Sequence, residues 1–351
     1  MWQTRGHDGV VDLLKTGLAQ GRTSHAYLFT GPEHTGKSTL ARELAMALNC
    51  ATWQGEPEGS MFAAMEPAQG DVEPGPCYDC GPCRKALAGT HPDLQIFEDW
   101  STESSSVIQK VRGIQYAAGL HPYEGRWKVY LLVDAGELTL PAQNALLKTL
   151  EEPASTVCLI LTAASPQALL PTVVSRCQHL PLRAPSNEAI SGALQELRAV
   201  PPEEAEPLAG LAAGRIGWAL QAAADPTLLD GRRSAIDQLG SILSSGTGDR
   251  FRAAEGLAAL ALDELDGVLE LWLSWFRDSL LLAEGLEPRV INRDNLEALR
   301  TAGLNSSEAR DAIVAVQRAR SHVNSSVNTR MALEVLLMRL PRVGQRVGSA
   351  A

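Results

Sequence analysis

Residues Gly31-Pro32-Glu33-His34-Thr35-Gly36-Lys37-Ser38 form a G-x-x-x-x-G-K-S run between an apolar pentad, Ala26-Tyr27-Leu28-Phe29-Thr30, and a segment of helical character from Thr39 to Asn49. Glycine at the first and sixth positions lets the backbone curl until successive N–H groups point inward, and the helix that follows adds the positive end of its dipole. Strand, loop and helix in this order predict a phosphate-binding loop with candidate contacts Gly31, Thr35, Gly36, Lys37, Ser38 and Thr39. Lys37 would reach the outer phosphates and Ser38 would hold magnesium. An ordinary glycine-rich turn would match the eight residues, but it needs neither the strand before nor the helix after.

Apolar runs of strand length recur further on. Asp93 to Phe97, Trp127 to Val133, Val157 to Thr162 and Gln178 to Leu182 read as strands, and Ser104 to Ala118 and Leu138 to Glu151 as helices. Continuous apolar runs alternating with helices predict an α/β fold with a parallel sheet covered on both faces. Ala51 to Pro76, rich in Gly, Pro, Glu and Ala, has neither period and is expected to be a flexible insertion. Beyond Ser186 the strand signals stop. A helix from Asn187 to Arg198 precedes Pro201-Pro202, a second helical region runs to about Ala224, and long helices follow. Leu265, Val268, Leu269, Trp272 and Phe276 recur at helical spacing, which predicts a packed face rather than a base-stacking platform for Trp272 and Trp275. The residues from Gly344 read as a frayed tail.

With 351 residues and 45% hydrophobic content the chain can build two or three domains with sizeable cores. A net charge of −10 argues against a surface that grips nucleic acid as a whole, while leaving room for a local basic patch. The first eight residues lack an apolar stretch, and no uncharged apolar run is long enough to span a bilayer, so a soluble cytoplasmic protein without membrane contact is expected.

Four of the six cysteines form a pattern: Cys77, Cys80 and Cys83 at two-residue intervals, with Cys50 at the end of the first helix. Four converging thiolates predict structural zinc in a closed tetrahedral site that pins the base of the insertion, a module spanning 50–83. An iron–sulfur cluster competes, but Arg84-Lys85 follows where a ferredoxin run would continue with Cys-Pro. Unliganded buried thiols are the plainer alternative. Asp134 ends the apolar strand Val129 to Val133 and can bind magnesium or its water shell. ATP hydrolysis at such a site ordinarily uses a glutamate directly after this aspartate. Here the position is Ala135, and Glu137 lies beyond Gly136, so nucleotide is expected to bind but to turn over slowly.

Asn144-Ala145-Leu146-Leu147-Lys148-Thr149-Leu150-Glu151-Glu152-Pro153, taken with Ser175-Arg176-Cys177 and the cysteine cluster, resembles the clamp-loader branch of the AAA+ ATPases. Ser24 to Tyr27, Thr90 to Asp93, the missing glutamate after Asp134 and Asn328 to Glu334 resemble its delta prime subunits from bacterial DNA polymerase III. The resemblance runs along nearly the whole chain, most strongly to about Arg183. It implies an ATPase-type α/β domain over 1–183, a helical lid over 184–225, a helical collar that oligomerises over 226–343, and a tail over 344–351. It also implies that Arg176 enters the nucleotide site of a neighbouring subunit, that Arg215 is a lid arginine sensing phosphate, and that Thr162 is a polar sensor after the fourth strand. The implied partners are motor and delta-type clamp-loader subunits, the sliding clamp, and primed DNA through the assembled complex. The implied cofactors are structural zinc, with ATP and magnesium at the loop. Two features depart from the family pattern: the phosphate loop is intact where several delta prime loops are degenerate, and the insertion is longer.

The function expected on these grounds is that of a weakly hydrolysing ring subunit, accessory to a DNA-directed DNA polymerase, that lends Arg176 to a motor neighbour and helps load the clamp. The rivals are a hydrolytically active motor of the same superfamily and a zinc-dependent nucleic-acid-binding module with a vestigial nucleotide site.

Overall fold

A computed structural model of the chain describes residues 1–54, 73–100, 104–323 and 328–343. Most of the expected insertion therefore lies outside the described residues, as does the expected tail. The chain divides into two compact units, Met1–Leu197 with Gly214–Trp218, and Arg198–Ala213 with Ala219–Ala351.

The first unit is built on five strands, β1 (Ala26–Thr30), β2 (Leu94–Phe97), β3 (Lys128–Leu132), β4 (Val157–Ala163) and β5 (Gln178–Pro181), in the order β2-β3-β4-β1-β5. All pairings are parallel, with Leu28 opposite Leu161 and His179, and Leu131 opposite Ile160 and Ile96. Period-two alternation sends the side chains of β1, β3 and β4 to two separate cores. Leu28, Tyr130, Leu132, Leu159 and Leu161 join the core that contains residues of α5 (Ser104–Ala118), α6 (Leu140–Glu151) and α7 (Pro171–Val174). Tyr27, Phe29, Val129, Leu131 and Ile160 join the core that contains residues of α1 (Asp8–Ala19) and α2 (Lys37–Ala47). Helices cover both faces, so β1, β3 and β4 read as unbroken apolar runs.

The element borders differ from the sequence expectation where side chains take over backbone groups. Asp93 does not begin β2. Its buried carboxylate instead accepts the N–H groups of Tyr123, Glu124 and Gly125 at 2.7–2.8 Å, shaping the turn before β3. The helix after the phosphate loop starts at Lys37, two residues earlier than expected, because Lys37 and Ser38 already form its first turn. A short helix, α3 (Ala51–Gln54), and then α4 (Gly81–Leu87) follow it among the described residues. The unit also contains most of α8 (Asn187–Arg198).

Beyond α8 the described elements are helical. The second helical region is split by Ala213 and Gly214, both in left-handed backbone, into α9 (Pro202–Ala212) and α10 (Ile216–Ala224). Then come α11 (Thr227–Ser244), α12 (Thr247–Ala258), α13 (Leu262–Ala283), α14 (Leu296–Ala302), α15 (Ser306–Val323) and α16 (Thr329–Arg339). Among the described residues no helix is long and apolar enough to cross a membrane. Leu265, Leu269, Trp272 and Phe276 share the core of this unit, as their spacing predicts, and Trp272 and Trp275 are buried within it. The indole N–H of Trp272 donates to the Ala235 carbonyl at 3.0 Å. Buried Arg250 donates to the carbonyls of Leu337, Leu340 and Pro341, closing the end of α16.

Trp272→Ala removes the largest fully buried side chain and leaves the Ala235 carbonyl without its donor. The expected loss is about 3–5 kcal/mol, read as an earlier denaturant midpoint for the helical unit.

Candidate nucleotide loop and cysteine cluster

The phosphate loop owes its shape to two glycines. Gly31 has φ +155°, and a Cβ there would stand 2.3 Å from the Leu182 carbonyl oxygen, which belongs to backbone held by a Leu182 N–H to Thr30 carbonyl bond of 2.7 Å. Gly36 has φ +98° and caps α2. Between them the hydroxyl of buried Thr35 donates to the Pro32 carbonyl at 2.8 Å. The Lys37 ammonium donates to the carbonyls of Gly31 and Pro32 at 2.9 and 2.8 Å. Burial pushes its pKa down, against the opposing pull of the Asp134 and Glu33 carboxylates. A buried ammonium in this position gains from any anion brought to the loop.

Asp134 is exposed at the end of β3, with left-handed backbone at φ 49°, and its N–H donates to the hydroxyl of buried Thr162 at 2.8 Å. Thr162 therefore fixes the peptide that carries Asp134. Ala135 opens a short 3-10 turn to Glu137 and is fully buried, whereas Glu137 is exposed. Arg215 lies in the Gly214–Trp218 segment, its guanidinium 5.5 Å from the centre of the Trp218 ring. That segment is tied to the phosphate loop by the Gly217 N–H, which donates to the His34 carbonyl at 2.8 Å. The fold thus gathers Gly31, Thr35, Gly36, Lys37, Ser38, Thr39, Asp134 and Thr162 at the carboxyl ends of β1, β3 and β4, and tethers the segment carrying Arg215 to the same loop.

Arg176 stands elsewhere on this unit, between α7 and β5. Its guanidinium forms an ion pair with Glu151 at 2.8 Å and donates to the Thr172 carbonyl at 2.9 Å, with about a third of the side chain exposed.

Cys50, Cys77, Cys80 and Cys83 converge, their Sγ atoms all within 4.8 Å of one another and those of Cys50 and Cys80 3.9 Å apart. Zinc bound by thiolates at ~2.3 Å in a tetrahedron sets sulfurs roughly 3.8 Å apart, so the donor set suits that ion with small adjustments. The Cys77 sulfur also accepts the N–H groups of Asp79 and Cys80 at 3.4 and 3.2 Å. Asn49 anchors the cluster's first cysteine from the neighbouring position. Its side chain exchanges two 2.9 Å hydrogen bonds with the backbone of Trp127 at the start of β3.

Two buried residues complete the surroundings and carry no spacing signal in the sequence. His7 Nε2 lies 2.7 Å from the Thr35 carbonyl, and since a carbonyl only accepts, that ring nitrogen carries the proton. Glu43, in the middle of α2, accepts hydrogen bonds from the N–H groups of Gln3 and Thr4, the Thr4 hydroxyl and the Tyr78 hydroxyl. Burial, with the Glu43 carboxylate as hydrogen-bond partner, pushes the Tyr78 phenol up, so it remains the donor in that contact.

The family model described as DNA polymerase III, delta subunit, matches residues 6–186, which hold the loop, the cysteines, Asp134 and Arg176. The chain belongs to that family. The DNA polymerase III subunit delta' of Bacillus subtilis is 29% identical over 337 residues, covering 94% of this chain and 95% of that protein. The DNA polymerase III subunit tau of Escherichia coli is 35% identical over 193 residues, which are 55% of this chain but only 27% of tau. Among solved structures, a gamma subunit-related protein of Thermotoga maritima aligns with a TM-score of 0.43 at 16% identity, over 93% of this chain and 98% of that one. Family membership rests on the sequence matches, and the likeness to delta prime subunits extends through both units.

Gly31→Ala forces a methyl group into the Leu182 carbonyl in backbone that L-residues rarely adopt. The intact chain should lose about 1–3 kcal/mol of stability, measured by urea unfolding.

Proposed function

We propose that the chain is the delta prime-type subunit of a bacterial clamp loader, joining motor and delta-type subunits in a ring that opens the sliding clamp at primed DNA. The observation that carries this reading is the end-to-end match to a delta prime subunit, which includes the helical region as well as the α/β unit. Within this reading the α/β domain ends near 183, the lid covers 184–225, and the collar that assembles the ring covers 226–343.

The loop would hold the phosphates of ATP through its N–H groups and Lys37, with Ser38 and Asp134 on the magnesium side. Bound magnesium would supply charge neutralisation between the phosphates. Turnover would be slow, because no carboxylate directly follows Asp134 to polarise a water: Ala135 is buried and Glu137 lies on the far side of a 3-10 turn. Arg215 would approach the same loop through the Gly217–His34 tether.

Arg176 would act outside this chain's own site, in that of a neighbour. Its pairing with Glu151 is compatible with that role on energetic grounds. The pair is partly exposed, and such pairs are worth about 0–1 kcal/mol, whereas a guanidinium meeting charge that develops during phosphoryl transfer is worth about a thousandfold in rate or more. Release from Glu151 therefore costs little against what the neighbour's site offers.

The test is a clamp loader reconstituted with Arg176→Ala and assayed for clamp- and DNA-stimulated ATP hydrolysis. Assembly should be unchanged, while the one motor site the arginine serves loses about a thousandfold and the bulk rate falls by that site's share. Arg176→Lys should rescue poorly, since an ammonium lacks the planar fork. Wild-type rates in a fully assembled mutant complex would remove the finger role. Metal analysis of the chain purified without chelator should give one zinc per chain, and an iron–sulfur absorption band would overturn that assignment. Turnover by the isolated chain should stay far below the common range of about 1–1,000 per second.

A further inference from the structure

The buried contacts of the N-terminal segment bear on both sites at once. Tyr78 stands between the ligand candidates Cys77 and Cys80, in left-handed backbone at φ 64°. A tyrosine is strained there and needs its surroundings to hold it, and sulfurs gathered on one ion would do so. Its hydroxyl donates to the carboxylate of Glu43, a residue only 1% exposed. Such a carboxylate is costly to bury without donors, and the others come from Gln3 and Thr4. The Trp2 indole N–H donates to the Pro74 carbonyl at 2.9 Å, fastening the segment to the approach to Cys77. Three residues after Thr4, His7 donates to the Thr35 carbonyl. In a trans peptide C=O and N–H point in opposite directions, so the His7 bond also fixes where the Gly36 N–H points, and that N–H is one of the donors a phosphate would meet.

We propose that Trp2–His7 is a strap joining the cysteine cluster to the phosphate loop, so that metal on the four thiols and nucleotide on the loop strengthen each other's binding. The proposal rests on the reading above, in which both sites take their ligands. Tyr78, Glu43 and His7 are its positioning residues, and none of them touches either ligand. Metal would hold the Cys77–Cys80 turn, the turn would hold the Tyr78 hydroxyl on Glu43, and Glu43 would hold the strap that presents His7 to the loop. By linkage the effect runs both ways with the same factor. Helix α2 offers a second route, since the loop leads into it and Cys50 follows it. The Tyr78 hydroxyl meets that helix only at the Glu43 side chain, so Tyr78→Phe loosens the strap's anchor while leaving the backbone route from the loop through α2 to Cys50 in place.

The full-length chain is titrated with a fluorescent ATP analogue and magnesium, once zinc-loaded and once after zinc has been stripped by chelator. Stripping should weaken nucleotide binding about fivefold or more. Tyr78→Phe, which keeps all four thiols and should keep a full equivalent of zinc, should show the weakened affinity while zinc-loaded, with less than about a twofold change on stripping. Saturating analogue should slow zinc release to a chromophoric chelator in the wild type and not in Tyr78→Phe. If the stripped wild type unfolds, the zinc-loaded variant decides alone, through its affinity and through faster hydrogen exchange at Thr35, Gly36 and Lys37. Equal affinities with and without zinc, or wild-type affinity and exchange in zinc-loaded Tyr78→Phe, would overturn the strap and leave the assignment of the two sites standing. A wild-type chain that takes up no zinc or no nucleotide would overturn that assignment, and the strap with it.

Discussion

Burial of β1 on every side is the constraint from which the candidate sites follow. All five of its residues are buried, it is flanked by β4 and β5, and its side chains serve both cores of the sheet. A strand held this way cannot rotate or slip without exposing one of those cores. Its end is therefore fixed, Gly31 meets the Leu182 carbonyl with no room for a side chain, and the chain must turn there into the loop and α2. That helix then carries Lys37 in its first turn, Glu43 midway and, just past its end, Asn49 and Cys50, a path of ~20 Å at 1.5 Å per residue. Loop and cysteine cluster are in this sense two ends of one rigid element.

The parts of the fold legible in the sequence were those governed by local pattern. Ala26–Thr30, Val129–Val133 and Val157–Thr162 read as strands because burial on both faces leaves unbroken apolar runs, and Cys77-x-x-Cys80-x-x-Cys83 reads as a convergent set because a short loop brings such thiols together. Cys50 is 27 positions from Cys77 and was still legible, because four thiols are a chemical set and not merely a spacing. His7 and Glu43 were not legible. Their partners lie 28 to 40 positions away, and a single histidine or glutamate carries no period that announces burial. The break between α9 and α10 escaped for a different reason: Ala213 takes left-handed backbone next to Gly214, and alanine gives no warning of that. Asp93 was read as strand because it adjoins an apolar run, yet three turn N–H groups claim its carboxylate.

The two units place their polar interior groups to different ends. In the helical unit Arg250 and Arg232 hold chain ends and loops: Arg250 the carbonyls in and just after the last turn of α16, Arg232 the side chains of Asn292 and Asp294 ahead of α14. These contacts make the bundle specific without creating a pocket of reactive groups. In the α/β unit Lys37, Thr35, Thr162, His7 and Glu43 are buried in or next to the loop and the cluster, while Asp93, Gln143 and Thr149 are buried elsewhere. Polar groups are costly to bury, and for the first five that cost falls where ligands would bind.

The burial of Ala135 reaches beyond catalysis at this one site. Its methyl group belongs to the same apolar core as Leu138, Ala163 and Leu169. A glutamate grafted at 135 would send its carboxylate into that core, where desolvation favours the protonated acid, and a protonated acid polarises no water. A carboxylate able to polarise water at this position would therefore take a rebuilt turn after β3 and not a point substitution. The hydrophobic core around residue 135, more than the loop chemistry beside it, thus decides which side chains this turn can accept.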